Sequence, residues 1–215
     1  LPEAPYLDKP RWYNVAARVA ETQRLIGGQA KVIRLEKPHG WDDVRWDAGA
    51  FVSVRLNDGE DDLIRQYSLV SDSDGSDTMD ICVKRVAGGR ASNLLNDEVE
   101  AGSYITLLGP PVSSGGLAMA RVPSKVLLVA GGVGITPIIS QLRALARAAA
   151  PTDAVLLYFN HDTRSTLFER EIRALGNAAG ITVHVFAGQR PSLELITDLV
   201  SDAADRETFI CAPTG

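Results

Sequence analysis

The chain is poor in the residues that build metal centres and covalent cross-links. Among its 215 residues are 2 cysteines and 3 histidines. Cys82 and Cys211 show neither a CxxC pair nor zinc spacing, so neither a protein metal site nor a disulfide framework is expected. Aromatic residues make up only 6%, and Trp12, Trp41 and Trp46 are expected to pack rather than to form a stacking platform. The apolar run at Val126–Ala130 ends in glycines, far short of a membrane span. A basic excess is also missing: Lys+Arg total 22 against Asp+Glu 27, a net charge of −5, which excludes a chain-wide field for nucleic acid. The first residue is leucine and no signal-peptide pattern follows, so the chain reads as a fragment. The scarce, unpaired cysteines point to a reducing, cytoplasmic setting. What is present, 45% hydrophobic and 23% charged residues, fits an ordinary globular protein with one large domain or two small ones.

Two patterns divide the chain. Residues 1–120 alternate apolar and polar positions in short segments: Tyr13–Glu21, Ala30–Leu35, Phe51–Leu56, Gln66–Val70, Met79–Val86 and Tyr104–Leu108. Turn residues separate them at Gly27-Gly28, Asn57-Asp58-Gly59, Asp72-Ser73-Asp74-Gly75 and Gly88-Gly89. This spacing predicts an antiparallel barrel or sandwich, with one short helix starting near Ser92. Residues 121–215 instead alternate strands with helices. Strands are expected at Lys125–Ala130, Ala154–Phe159, Ile181–Phe186 and Thr208–Cys211, and helices at Pro137–Ala149, Ser165–Leu175 and Leu193–Val200. That order predicts right-handed βαβ units and a parallel sheet. The Pro-, Gly- and Ser-rich stretch from Pro110 to Pro123 is the expected boundary.

In the second half, a strand runs into Gly131-Gly132-Val133-Gly134-Ile135-Thr136-Pro137. Glycines let a backbone turn sharply and approach a pyrophosphate, and the next helix offers free N–H groups and a positive dipole end. Thr136 is read as the helix cap and Pro137 as its first residue. A plain glycine turn is the alternative, and Pro137 replaces the third glycine of the usual dinucleotide fingerprint. In the first half, Arg65-Gln66-Tyr67-Ser68 places a phosphate-binding guanidinium beside a flat aromatic face and a hydroxyl. Taken alone it is also an ordinary half-buried strand. Gly88-Gly89-Arg90-Ala91-Ser92 opens a helix and gives the barrel a second anion-binding terminus.

These segments, followed by Cys211-Ala212-Pro213, resemble in order and spacing the motif set of the ferredoxin–NADP reductase superfamily. The stretch Val83-Lys84-Arg85-Val86-Ala87-Gly88-Gly89 is similar to its bacterial oxygenase- and desaturase-reductase branch, which includes the reductase modules of flavohaemoglobins. The resemblance implies a six-stranded antiparallel flavin barrel, then a five-stranded parallel nicotinamide domain. It implies that Arg65 contacts the flavin phosphate, that Tyr67 lies on the isoalloxazine, and that Ser68, in the same cofactor-binding motif as Gln66, reaches the flavin N5. Val83 and Lys84 would line the ribityl and phosphate side, and Gly89, Arg90, Ala91 and Ser92 the pyrophosphate. Gly132, Val133, Gly134, Thr136 and Pro137 would hold NAD(P)H, with Thr136 near both rings and Cys211 beside the nicotinamide C4. Ser68, Thr136 and Cys211 are thus the implied catalytic set.

The implied cofactor is FAD, with FMN the alternative, and the implied acceptor is an iron–sulphur protein or domain. An FMN-dependent oxygenase reductase, a non-catalytic flavin- or nucleotide-binding subunit and the reductase half of a globin fusion are the competing readings. Ala212 replaces the family's glycine and is expected to push a methyl toward the nicotinamide. Pro111–Gly116 lacks the family's phenylalanine, Gly49-Ala50-Phe51 stands for Gly-Gln-Phe, and the chain stops before the helix that follows the cysteine motif. His161, Arg164 and Ser165 fall in the loop expected near the adenosine ribose, where Arg164 and Ser165 could recognise a 2′-phosphate. His39 and His184 have no ligand-spaced partner. Cys82 is expected in the core and the acidic run Asp58–Asp62 at a hairpin tip in water.

Overall fold

The structure is a computed structural model that describes residues 13–71, 77–113, 116–150 and 152–213. Trp12, the whole of the turn expected at Asp72–Gly75 and part of the Pro111–Gly116 stretch lie outside the described residues. Two compact units divide the chain. The first holds residues 1–46, 50–69 and 73–112; the second holds 47–49, 70–72 and 113–215.

The first unit is an antiparallel sheet of six strands: β1 (Val15–Leu25), β2 (Ala30–Glu36), β3 (Phe51–Asn57), β4 (Asp62–Ser68), β5 (Thr78–Lys84) and β6 (Tyr104–Leu107), in the order β4-β3-β6-β1-β2-β5. A bridge from Leu69 to Ile81 joins the two outer strands and curls the sheet into a barrel. Alternation drives this: Val52, Val54 and Leu56 on β3 and Ile33 and Leu35 on β2 turn inward, with polar residues between them. Trp41 and Trp46, in the segment between β2 and β3, fill the same core with Met79, Ile81 and Leu107. Cys82 is buried too. Helix α1 (Arg90–Asp97) follows β5 and inserts Leu95 into this core.

Strand β4 begins earlier than the sequence predicts, at Asp62 rather than Gln66. The register with β3 continues out to Asn57 opposite Asp62, so only Asp58–Asp61 form the turn. The carboxylates accept the turn's own N–H groups: Asp58 Oδ1 takes those of Glu60 (3.1 Å) and Asp61 (3.0 Å). Lys31, whose side chain is fully buried, donates to the Val99 carbonyl (2.6 Å) and to Glu100 (3.2 Å).

The second unit is a parallel sheet of β7 (Lys125–Gly131), β8 (Asp153–Asn160), β9 (Thr182–Ala187) and β10 (Glu207–Cys211), in the order β10-β7-β8-β9. Helices α2 (Ile135–Arg147), α3 (Glu169–Ala179) and α4 (Leu193–Leu199) connect them. The resemblance implies five strands; among the described residues there are four. Leu127, Val129, Val155, Leu157 and Phe159 form one face with Val200 beyond α4, while Leu128, Leu156 and Tyr158 form the other. Helix α3 starts at Glu169, later than predicted. Asp162 and Ser165 close a capping box around a single 3₁₀ turn, which delays the helix. Arg206 pairs with Asp153 (2.9 Å) and Asp202 (2.8 Å) and ties the start of β10 to the start of β8.

Candidate functional site

In the first unit the candidate residues fall on β4, the end of β5 and the head of α1. Arg65 and Tyr67 stand opposite Val54 and Val52, so they share the inward face of β4. Tyr67 is half-buried against the core, and its burial raises the phenol above its usual range while the nearby Arg65 opposes the shift. The Arg65 guanidinium is exposed. It donates to the Ile64 carbonyl (2.7 Å) and has no carboxylate partner among the described residues. Gln66 is exposed opposite Ser53, and Ser68 is half-buried opposite Phe51.

Val83 differs from the expectation for its side chain. It is buried in the barrel core, and its carbonyl accepts from Asn96 Nδ2 (3.2 Å). Lys84 is half-buried at the strand end. The turn Gly88–Gly89 opens α1, where Gly88 has φ +69° with open space around its Cβ position. A Cβ on Gly89 would lie 2.6 Å from Ser92 Oγ and 2.9 Å from Val86 Cβ. Ser92 Oγ accepts from the Val86 N–H and donates to the Gly89 carbonyl, both at 3.2 Å, and so holds the turn. No side chain caps this helix, leaving its first N–H groups for an anion. A guanidinium on β4 with no carboxylate partner among the described residues and a helix head with no side-chain cap suit a phosphate-bearing group.

Arg90 departs from its expected role. Its guanidinium pairs with Asp58 (2.5 Å) and Asp61 (3.0 Å) and lies 3.7 Å from Glu60. This clasp fastens the first residue of α1 to the hairpin that leads into β4, and it holds the Asp58 carboxyl far below the ordinary carboxylate range. The acidic run is therefore at a hairpin tip as expected, but paired. An open hollow of about 490 Å³ lies at the clasp, walled by Asn57, Asp58 and Gly59, by Arg90 and Asp97 of α1, and by Glu98 just after it.

In the second unit the strand order reverses between β7 and β10, and open α/β sheets bind ligands outside the carboxyl ends at such a point. Gly131, Gly132, Val133, Gly134 and Cys211 all lie there. Gly132 has φ +53° and open space where a Cβ would project. A Cβ on Gly134 would lie 1.9 Å from the Cys211 carbonyl oxygen, so the turn and the end of β10 touch backbone to backbone. Only glycine fits at 134. Ala212 does not behave as expected: its methyl packs over Gly131, 2.8 Å from where a Cβ there would stand. The missing side chain at 131 accommodates the extra methyl.

Thr136 is not the helix cap. A 3₁₀ turn over Gly132–Gly134 runs directly into α2, so the helix begins at Ile135 after Gly134. The Thr136 hydroxyl donates to the Val133 carbonyl (3.1 Å), and Pro137, buried in the first turn, is the third helical residue rather than the first. Cys211 is half-buried and unpaired, and burial pushes its thiol pKa up, so it carries a proton at neutral pH. Arg164 is exposed in the loop after β8, with no ion pair among the described residues. Ser165 is committed locally: its hydroxyl donates to the Asp162 carbonyl (2.9 Å) and its N–H to Asp162 Oδ1 (2.8 Å).

Tyr158 is a further member of this region. Its buried hydroxyl donates to the Gly132 carbonyl (3.1 Å) and accepts the Leu167 N–H (3.2 Å), bracing the glycine turn against the loop after β8. Within an apolar strand it reads as core, and only its hydroxyl, which needs a partner when buried, signals more.

Comparison with known proteins agrees with this geometry. Residues 17–114 match the family described as oxidoreductase FAD-binding domain, and residues 128–208 match the oxidoreductase NAD-binding domain. The chain is 33% identical over 198 residues to the ferredoxin reductase component of 3-ketosteroid-9-alpha-monooxygenase from Mycobacterium tuberculosis, covering 86% of this chain and 54% of that one. To the glycine betaine monooxygenase reductase subunit of Pseudomonas aeruginosa it is 30% identical over 181 residues, covering 77% of this chain and 48% of that one. It spans about half the length of these curated relatives. In fold it resembles the flavohaem-like FAD/NAD-binding domain of nitric oxide dioxygenase from Vibrio cholerae, with a TM-score of 0.74 at 21% identity over 94% of this chain and 100% of that one. It also resembles a ferredoxin NADP+ reductase from Neisseria gonorrhoeae, with a TM-score of 0.69 at 18% identity over 89% of this chain and 79% of that one.

An antiparallel barrel matching the FAD-binding family, followed by a parallel sheet matching the NAD-binding family, defines a two-domain FAD- and NAD-binding oxidoreductase. The chain belongs to the ferredoxin–NADP reductase superfamily. No helix among the described residues is long and apolar enough to cross a membrane.

Proposed function

We propose that this chain is the flavin and nicotinamide part of an electron-transfer reductase, which draws electrons from NAD(P)H through FAD and delivers them to an iron–sulphur protein or domain. One observation carries the reading: an FAD-binding and a NAD-binding oxidoreductase domain occur in one chain whose curated relatives include reductase components of monooxygenases. The FAD, when bound, supplies the conversion of a two-electron hydride into single electrons. The protein supplies position and electrostatics.

In this reading Arg65 and the uncapped head of α1 neutralise the flavin's phosphates, and Tyr67 offers an aromatic face next to the hydroxyl of Ser68. Arg90 acts one step back, keeping α1 and the β3–β4 hairpin together. Gly132 and Gly134 let the backbone approach the dinucleotide, and the Thr136 hydroxyl fixes the turn through Val133. The protonated thiol of Cys211 bears on the nicotinamide as a small, neutral contact that sets the angle of approach. Arg164, free of ion pairs among the described residues, faces the adenosine ribose region. The two free cysteines suit a reducing compartment, and we place the chain in the cytoplasm.

The test is electron delivery in trans. The FAD-loaded chain, mixed anaerobically with NADH or NADPH and a purified [2Fe–2S] ferredoxin, is expected to reduce the ferredoxin at a rate that depends on the chain's concentration. A chain that oxidises NAD(P)H but never reduces a one-electron acceptor overturns the reading.

A further inference from the structure

The turn between β3 and β4 places Asp58, Glu60, Asp61 and Asp62 within five residues, on the strand pair that carries Arg65. Acid so close to an anion-binding strand opposes that use unless it serves another. The turn is built from its own bonds: Asn57 Oδ1 accepts the Gly59 N–H (2.9 Å), Asn57 Nδ2 donates to Asp62 (3.2 Å), and Asp58 Oδ1 takes the Glu60 and Asp61 N–H groups. The other oxygen of Asp58 receives Arg90 Nε at 2.5 Å, while Asp61 receives Arg90 Nη1 at 3.0 Å. Two carboxylates thus hold one guanidinium through different nitrogens, which fixes its orientation as a single contact would not. The Asp58 side chain is only 15% exposed, so this half of the clasp is sheltered from salt and water.

Arg90 is the first residue of α1, and Asp62 stands three residues ahead of Arg65 on β4. The far end of α1 is fastened separately: Asp97 pairs with Arg85 (2.6 Å) and Asn96 donates to the Val83 carbonyl (3.2 Å), both bonds leading to the end of β5. The clasp ties the helix head to the β4 side instead. Arg65 and that head are the two groups assigned to the flavin's phosphates. FMN carries one phosphate and calls on one of them; FAD carries two and calls on both at a set spacing. We propose that Asp58, Asp61 and Arg90 are positioning residues that set the preference for FAD over FMN, the clasp holding the helix head at the spacing a diphosphate requires. The proposal rests on the FAD-binding reading of this unit.

The experiment is fluorescence titration of the full chain, freed of flavin, with FAD and with FMN, together with thermal melting of the flavin-free protein. The variant is Asp58→Asn with Asp61→Asn. The amide oxygen at 58 still accepts the turn's N–H groups, so the turn is kept while the charges go. Charge alone predicts that removing two carboxylates favours both phosphate ligands. The clasp predicts the opposite for FAD: roughly fivefold weaker binding, the scale of one well-formed surface ion pair, with FMN changed by less than about twofold. Asp61→Asn alone should shift FAD the same way by a smaller factor, and it serves where the double variant fails to fold. FAD binding that is unchanged or tightened in the amide variants overturns the proposal. So does an equal loss for FAD and FMN, or a wild type with no preference for FAD. A variant whose only change is a lower melting temperature makes the clasp a stabilising contact and overturns it too. Wild type that binds neither flavin overturns the FAD reading itself, and the proposal with it.

Discussion

Tyr158→Phe removes one oxygen atom from a fully buried side chain and leaves the ring in place. That oxygen donates to Gly132 and accepts from Leu167, which is itself buried, so the variant strands an N–H where water does not reach. A lost hydrogen bond is worth about 0.5–1.5 kcal/mol net, and a stranded buried donor costs about 1–3 kcal/mol. Taken together, and without double counting the shared bond, the expected loss is roughly 2 kcal/mol, or a fall of about 4–8 °C in a chain of this size. The same change frees the Gly132 carbonyl, so the glycine turn is held less firmly. Nucleotide affinity should drop by about 1 kcal/mol, roughly fivefold. Differential scanning calorimetry with and without ADP measures both quantities, and Tyr104→Phe, at an exposed tyrosine on β6, serves as the control. A Tyr158→Phe protein that melts with wild type and binds ADP with wild-type affinity refutes the bracing role.

Three further outcomes follow from the geometry. Arg65→Ala should lose about 1.5–3 kcal/mol of charge-assisted flavin binding, a ten- to hundredfold change read from flavin release, and unaltered affinity counts against its phosphate role. Cys211→Ala should slow flavin reduction in stopped flow more than Cys211→Ser, which nearly keeps the thiol's shape; wild-type rates in both variants leave Cys211 a plain strand-end residue. Arg206 and Lys125 hold the Asp202 carboxyl near pH 2, below its usual 3.8. A depressed carboxyl stabilises the fold above its unfolded pKa and releases that stability as pH falls through the folded one, so wild type should lose stability between about pH 4 and pH 2. Asp202→Asn should flatten that acid limb, and an unchanged limb in acid melts would show the pairing to be inert.

Both halves of the architecture were legible because burial writes itself into period: alternation in β2 and β3, continuous apolar runs in β7 and β8. The glycine turns were legible because a run of glycines between a strand and a helix has few other uses. What escaped were features fixed by pairing at a distance. The Arg90 clasp joins residues 58 and 61 to residue 90, and neither segment alone names the other. Asp61-Asp62 looks like solvated turn, yet ladder bonds to β3 draw Asp62 into the strand. Thr136 has the chemistry of a cap, but the preceding 3₁₀ turn already satisfies the helix entry. Val83 fits the motif, while the barrel's inward parity assigns its side chain to the core. Tyr158 differs from its apolar neighbours by a single polar group, whose meaning depends on what stands opposite it.

The central claim is that one chain binds FAD and passes it electrons from a nicotinamide nucleotide. Anaerobic titration of the FAD-loaded protein with NADH, and separately with NADPH, followed through the flavin's visible absorbance, addresses it directly. Stoichiometric bleaching by at least one of the two nucleotides is the predicted result. A protein that holds FAD, keeps its yellow colour under an excess of both, and bleaches only with dithionite would contradict it.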